Sequence, residues 1–274
     1  MRLAVALVRS THPGPSAAVT LVTIVLGVTA GLDPVRVVVL AVVMLLDQFS
    51  VGLSNDWLDA DRDRAVARSD KPVARGDVAS GTVRTAAFAT AAASVLLSTA
   101  LGWPLVVAHL VALASAWSYN IVAKHTVASV LPFIVSFGLL PVLATLALPE
   151  PRPAQWWVIA AGALLGVAAH VANVLPDLAD DASTGVRGLP HRLGRIPSAL
   201  LAAVALVAAS LAFTLGPGLS PAGAVGLSVS VVIAAAAVTL ILTDRLSRWL
   251  FRLIIAAAVL DVVLLALAGS AIVG

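Results

Sequence analysis

The 274-residue chain contains no cysteine, a single tyrosine and only two lysines, and charged residues make up just 11% of it. The lack of thiols excludes disulfide frameworks, thiolate metal sites and cysteine nucleophiles. The shortage of charge excludes a soluble enzyme, which carries about 25% charged residues, and equally a disordered chain. A net charge of +3 does not point to nucleic acid, because the basic residues are strung between apolar stretches and not gathered on one face. What the chain has in quantity is Leu, Ala and Val: 60% of its residues are hydrophobic and its mean hydropathy is +1.04.

A helix needs roughly 20 mostly apolar residues to cross the hydrocarbon core of a bilayer. Nine such stretches lie near 16–32, 35–54, 81–101, 104–122, 127–148, 154–175, 197–216, 222–243 and 250–272. The alternation a closed β-barrel needs is absent. The expected fold is therefore all-α: one polytopic membrane domain over 1–274, with nine transmembrane helices and two Asp-rich loops. Placing the N-terminus in the cytoplasm puts 15 of the 17 basic residues on that side, leaving only Arg36 and Arg152 on the other. This bias predicts a multi-pass cell-membrane protein whose N-terminus and both Asp-rich loops are cytoplasmic.

The two polar loops repeat each other. Each carries an asparagine followed by aspartates four and eight positions on: Asn55, Asp59 and Asp63, then Asn173, Asp177 and Asp181, the copies starting 118 residues apart. Asp56, Asp61, Asp70 and Asp77 complete the first cluster and Asp180 the second, so nine of the 14 acidic residues fall in these loops. Residues four apart share a helix face, and like charges at that spacing repel unless a cation relieves them. Hard divalent ions take oxygen ligands, and Mg²⁺ binds through one or two carboxylates plus water and substrate phosphate. Two facing ridges of this kind suit Mg²⁺ ions with a diphosphate between them, the metal reversing the repulsion between carboxylate and phosphate.

The first segment, Asn55-Asp56-Trp57-Leu58-Asp59 through Asp63, resembles the NDxxDxxxD signature of the UbiA family of intramembrane prenyltransferases. Arg68, Lys71-Pro72 and Arg75-Gly76 resemble its basic continuation. Asp177 through Asp181, followed by Gly185 and Leu189-Pro190, resembles the family's second signature. Tyr119 and Lys124 resemble its YxxxK element at a spacing of five instead of four, and Gln48 and Gly52 lie where many relatives carry an arginine. The resemblance spans the whole chain. It implies Mg²⁺ as cofactor, with Asn55, Asp56, Asp59, Asp63, Asn173, Asp177 and Asp181 as metal ligands. Asn55, Asn173, Arg68, Lys71, Arg187 and Arg192 are then expected to meet the substrate diphosphate, and Asp59, Asp177, Tyr119 and Lys124 to act in catalysis.

Polar residues within the spans add candidates. His170 and Gln48 each lie seven positions before a motif residue and are expected to line the same cavity. His109, ten positions before Tyr119, is expected either to line the cavity or to form a helix–helix hydrogen bond; Asp47 and Asp261 lie within spans with no partner legible in the sequence. Trp57, Trp103, Trp156 and Trp157 read as interface anchors, and Trp117 as a candidate cavity residue.

These features imply transfer of a prenyl group from a prenyl diphosphate to a small or lipid acceptor inside the bilayer. A terpene cyclase of the same fold is the alternative, with an ion or solute transporter behind it. Transport fits poorly with acids gathered at one membrane face, and a CDP-alcohol phosphotransferase fits poorly with Ala60 where its motif requires glycine.

Overall fold

The computed structural model describes residues 2–178, 185–242, 249–267 and 272–274. Helices α1 (Arg2–Ser10), α2 (Pro13–Ala30), α3 (Pro34–Leu58), α4 (Ala60–Ala65), α5 (Pro72–Arg75), α6 (Ser80–Ser98) and α7 (Trp103–Ile121) form the first half. Helices α8 (Leu131–Leu146), α9 (Trp156–Val174), α10 (Leu189–Leu193), α11 (Arg195–Leu215), α12 (Pro221–Leu242) and α13 (Trp249–Leu267) form the second.

Local chemistry sets several boundaries. Pro13 and Pro34 open α2 and α3, where a missing N–H costs nothing. The Asp33 carboxylate accepts from the Val35 and Arg36 amides to cap α3, and Gly31 ends α2 in the left-handed conformation that glycine adopts freely.

Among the described residues, eight helices are long and apolar enough to cross a membrane. The ninth expected span is represented by α13, whose apolar stretch is Ala256–Leu267. The chain is thus an all-α polytopic membrane protein. Packing runs around the bundle from α2 to α3, from α3 to α6 and α7, then α8, α9, α11, α12 and α13, and α13 returns against α2 and α9.

Close backbone approach holds α8 on α9. A Cβ at Gly162 or Gly166 would lie 2.6 Å from the Phe137 carbonyl oxygen and 2.4 Å from that of Phe133. Without a hydrophobic force between helices in lipid, small residues let such pairs pack. The same contact fixes the aromatic rings of α8 beside the polar end of α9.

Two tryptophans depart from expectation. Trp103 and Trp156 are largely exposed, as interface anchors should be. Trp157 instead is buried against Phe213 at a ring separation of 6.4 Å. Trp117 hydrogen-bonds from Nε1 to Ser50 Oγ at 3.0 Å, tying α7 to α3, and lines neither cavity described below. At an α3–α7 contact, an indole N–H in the membrane takes whichever acceptor the neighbouring helix offers.

Candidate active site

The C-terminal end of α3, the turn into α4, the end of α7 and the end of α9 meet at one end of the bundle. They enclose a polar cleft of about 560 Å³. Asn55 and Asp59 line it from the first polar segment, and Asn173 and Asp177 from the second. Arg62, Arg68, Lys71, Lys124 and Tyr119 complete much of the wall, joined by His12. The four-residue spacing works as expected on the first side: Asn55 Nδ2 donates to Asp59 Oδ2 at 3.0 Å, although the helix breaks between α3 and α4.

Each aspartate near the cleft meets a cationic group of the chain. Asp59 pairs with Lys124 and with Arg62 at 3.0 Å. Asp63 stands behind the wall, 3.3 Å from Arg62. Asp56 also stands behind it, 2.5 Å from Lys71 Nζ and 2.8 Å from His12 Nε2. Arg68 joins the two halves, with Nε 2.9 Å from Asp70 Oδ1 and Nη1 3.2 Å from Asp177 Oδ2. The Asp70 hydrogen bond raises the Arg68 guanidinium above its ordinary value against burial, with Asp177 adding to it. Burial raises the Asp63 carboxyl, which Lys71 and Arg62 only partly oppose. Burial lowers the Lys124 ammonium despite the Asp59 charge.

Two features fit a divalent cation. The donors are carboxylate and amide oxygens, the set that suits a hard ion. Asp56 Oδ2 is buried with no hydrogen-bond partner. Among the described residues no three His, Asp or Glu side chains close around one point.

Below the cleft lies an apolar cavity of about 230 Å³. Val19, Val22, Phe133, Phe137, Leu140 and Leu165 supply its walls, and His12, Asn55, Tyr119 and Asn173 belong to both spaces. Tyr119 packs edge-on to Phe133 at 5.0 Å, and Phe133 stacks on Phe137 at 6.2 Å, so aromatic rings mark the passage between them. Gln48 also lines the apolar cavity, its Nε2 donating to Asp47 Oδ2 at 3.0 Å.

Other expected residues fall elsewhere. Arg187 and Arg192 line a neighbouring cavity with Val186 and His191 and are not brought into the cleft. Asp181 lies outside the described residues, as does Asp180. His170 does not line the cavity; it is buried and bonds Ser129 Oγ at 3.0 Å, and that same oxygen accepts from the Leu189 amide. Its helical register with Asn173 is right, but the 3-10 turn at Val127–Val130 covers it. Asp47 finds His109 at 3.2 Å, and Asp261 pairs with Ser210 and, at 3.3 Å, with Ser230.

His12, Arg62 and Asn120 were missed by the sequence reading. Arg62 could have been found from its three-residue spacing to Asp59. Asn120, beside Tyr119, donates to Val51 O at 2.9 Å and Ser54 Oγ at 2.8 Å, locking α7 to the motif helix. His12 lies 44 positions from its partner and has no local signal.

Cationic and carboxylate groups over an aromatic-lined apolar chamber, within a bundle of spanning helices, mark a polytopic membrane protein with a polar cleft opening onto an apolar cavity. The chain matches the UbiA prenyltransferase family over residues 16–260 and belongs to it. No curated protein sequence matches it. Its fold is similar to a UbiA homologue from Archaeoglobus fulgidus bound to GPP and Mg²⁺, at 15% identity and TM-score 0.71 over 96% of this chain and 99% of that one. The same homologue bound to DMAPP and Mg²⁺ gives 14% identity and TM-score 0.70, over 96% and 98%. A digeranylgeranylglyceryl phosphate synthase gives 13% and 0.67, over 99% of each chain.

Proposed function

We propose that this protein transfers a prenyl group from a prenyl diphosphate to an acceptor within the cell membrane, with Mg²⁺ as cofactor and the cleft facing the cytoplasm. The observation that carries the reading is the direct junction of the cationic–carboxylate cleft with the apolar cavity, through shared Asn55, Asn173 and Tyr119. A molecule with a charged head and an isoprenoid tail matches both spaces at once.

Asn55 and Asp59, with the unpartnered oxygen of Asp56 beside them, on one side and Asn173 and Asp177 on the other are the residues to hold the metal. Mg²⁺, when bound, supplies charge neutralisation for the departing diphosphate. Arg62, Arg68, Lys71 and Lys124 meet the remaining negative charge, released from their present carboxylate partners as the head group enters. The C1–O bond breaks with its electron pair leaving on diphosphate, and the allylic carbon carries positive charge. The faces of Tyr119, Phe133 and Phe137 favour that charge through their quadrupoles, while the apolar walls keep water from it. The acceptor's nucleophilic atom then bonds C1 and loses a proton. No enzyme nucleophile is needed.

Purified protein incubated with prenyl diphosphates of several lengths, with and without Mg²⁺ and candidate acceptors, tests the reading by product mass. Metal-dependent release of diphosphate with a prenylated acceptor supports it. Release with a cyclic hydrocarbon or alcohol instead assigns the cyclase, and no turnover of any prenyl diphosphate defeats both.

A further inference from the structure

His12 holds a backbone conformation that few residues other than glycine adopt. Its φ of 52° and ψ of 64° are left-handed, and Ala67 is the only other non-glycine residue with positive φ among those described. Glycine is the ordinary occupant of such a position, because a Cβ crowds the following carbonyl. The neighbourhood leaves the turn little choice. Pro13 follows it, and Ser16 Oγ donates to Thr11 O at 2.7 Å. Gly52 lets α3 press on the turn, since a Cβ there would lie 2.6 Å from Thr11 O.

Capping does not explain the histidine. It stands at the N-cap of α2, yet its side chain makes no hydrogen bond to that helix, where Ser, Asp or Asn would. The imidazole points instead to the motif: Nε2 is 2.8 Å from Asp56 Oδ1 and 3.1 Å from Lys71 Nζ. With Nε2 protonated the ring donates to Asp56; in the other tautomer it accepts from Lys71. Lys71 Nζ also donates to Asn55 Oδ1 at 3.1 Å. Three polar groups from two separate segments thus converge on one ammonium at the cleft wall. Backbone strain that persists because its surroundings over-determine it is a pointer to function.

We propose that His12 is a positioning residue, in which an unfavourable turn is retained to hold the imidazole against Asp56 and Lys71 and so fix the Lys71 ammonium for the diphosphate. The N-terminal helix α1 anchors the turn, burying Ala6 in a cluster with Leu53 and Val73. The inference rests on the prenyl diphosphate reading for what Lys71 meets, but not for how Lys71 is held.

Two variants separate backbone from side chain. His12→Gly relieves the turn and removes the ring; His12→Asn tolerates the turn and keeps a polar side chain. Three quantities are read in the full-length protein in detergent: thermal stability, binding of geranyl diphosphate with Mg²⁺, and acylation of Lys71 by an amine reagent, followed by peptide mass. Lys124, the other lysine of the chain, is the internal control. His12→Gly is expected to be at least as stable as the wild type. It should bind geranyl diphosphate about tenfold more weakly, the scale of one lost charge-assisted contact. Lys71 should acylate several-fold faster with Lys124 unchanged, and His12→Asn should fall between the two on binding and acylation. A less stable His12→Gly with Lys71 reactivity unchanged would show that His12 serves only to start α2, overturning the proposal. If the wild type fails to bind geranyl diphosphate, the substrate reading falls, while the acylation arm, which needs no ligand, still decides the role of His12.

Discussion

Arg68 and Asp177, 109 positions apart in sequence, are joined by a 3.2 Å ion pair across the cleft. This contact ties the first polar segment to the second, and Asp70 holds the same guanidinium from the other side. An arginine that spans both segments belongs to the diphosphate site by its chemistry, since the planar fork recognises phosphate as it does carboxylate.

Replacing Arg68 with Gln is therefore expected to weaken geranyl diphosphate binding by about 10- to 100-fold, the worth of a hydrogen bond to a charged group. The protein should stay folded, because Asp177 and Asp70 are both partly solvated. Arg192→Gln, in the neighbouring cavity, should leave binding nearly unchanged. Titrating both variants with the same ligand checks the contrast, and equal losses would place the phosphate site elsewhere.

The buried Asp59–Lys124 pair gives a second prediction. Each side chain is only 6% exposed, so removing Asp59 strands the Lys124 ammonium away from water, whereas removing Lys124 leaves Asp59 paired with Arg62. Asp59→Asn alone should cost about 3–5 kcal/mol of stability, as for other broken buried pairs, and Lys124→Met less. The double variant should be more stable than Asp59→Asn, because no buried ammonium is then left uncompensated. Turnover should remain lost in Asp59→Asn and in the double variant, where a metal-ligating charge is gone. Thermal unfolding and turnover of the three proteins test this, and a double variant as unstable as the sum of the singles would argue against pairing.

Much of this arrangement was legible in the sequence, for a physical reason. In a chain with few charges, aspartates repeated at helical spacing cannot be surface decoration, so Asn55, Asp59, Asn173 and Asp177 could be named from spacing alone, and all four line the cleft. The cations were harder. Arg68, Lys71 and Lys124 reach the cleft, whereas Arg187 and Arg192, equally close to a motif in sequence, turn into another cavity. A long side chain's direction depends on the turn that carries it, and no period in the sequence reports that. His12 and the Asp47–His109 contact depend on which helices are neighbours, which only the assembled bundle reveals.

His191 provides a pH-dependent prediction. Burial lowers its imidazole below the ordinary value, so the folded protein favours the neutral ring. The stabilisation this brings is present above the unfolded-state pKa of about 6.5 and is lost as pH falls through the folded value. Wild-type thermal stability should therefore drop on acidification below about pH 6.5 more than that of His191→Gln, which has no ring to protonate. Parallel profiles for the two proteins would remove His191 as the source.

The orientation of the chain decides whether the two polar segments can serve one substrate. The order of the nine apolar stretches in the sequence assigns 15 of the 17 basic residues to the side expected to carry both segments, the distribution expected of cytoplasmic loops. The absence of native cysteine makes the test clean. Single cysteines in place of Arg64 and Arg187, both solvent-exposed, should be modified by a membrane-impermeant thiol reagent in inside-out vesicles and protected in intact cells. Arg64 is the more direct probe, because it is exposed and pairs with the exposed Asp61 in α4. A cysteine at Arg152, in the loop between α8 and α9, should show the opposite pattern. Labelling of Arg64 and Arg187 from opposite faces would set the carboxylates of the two segments a bilayer apart. That result is incompatible with the Arg68–Asp177 pair and with any shared diphosphate site, whereas labelling of both from outside would keep the site and reverse only its orientation.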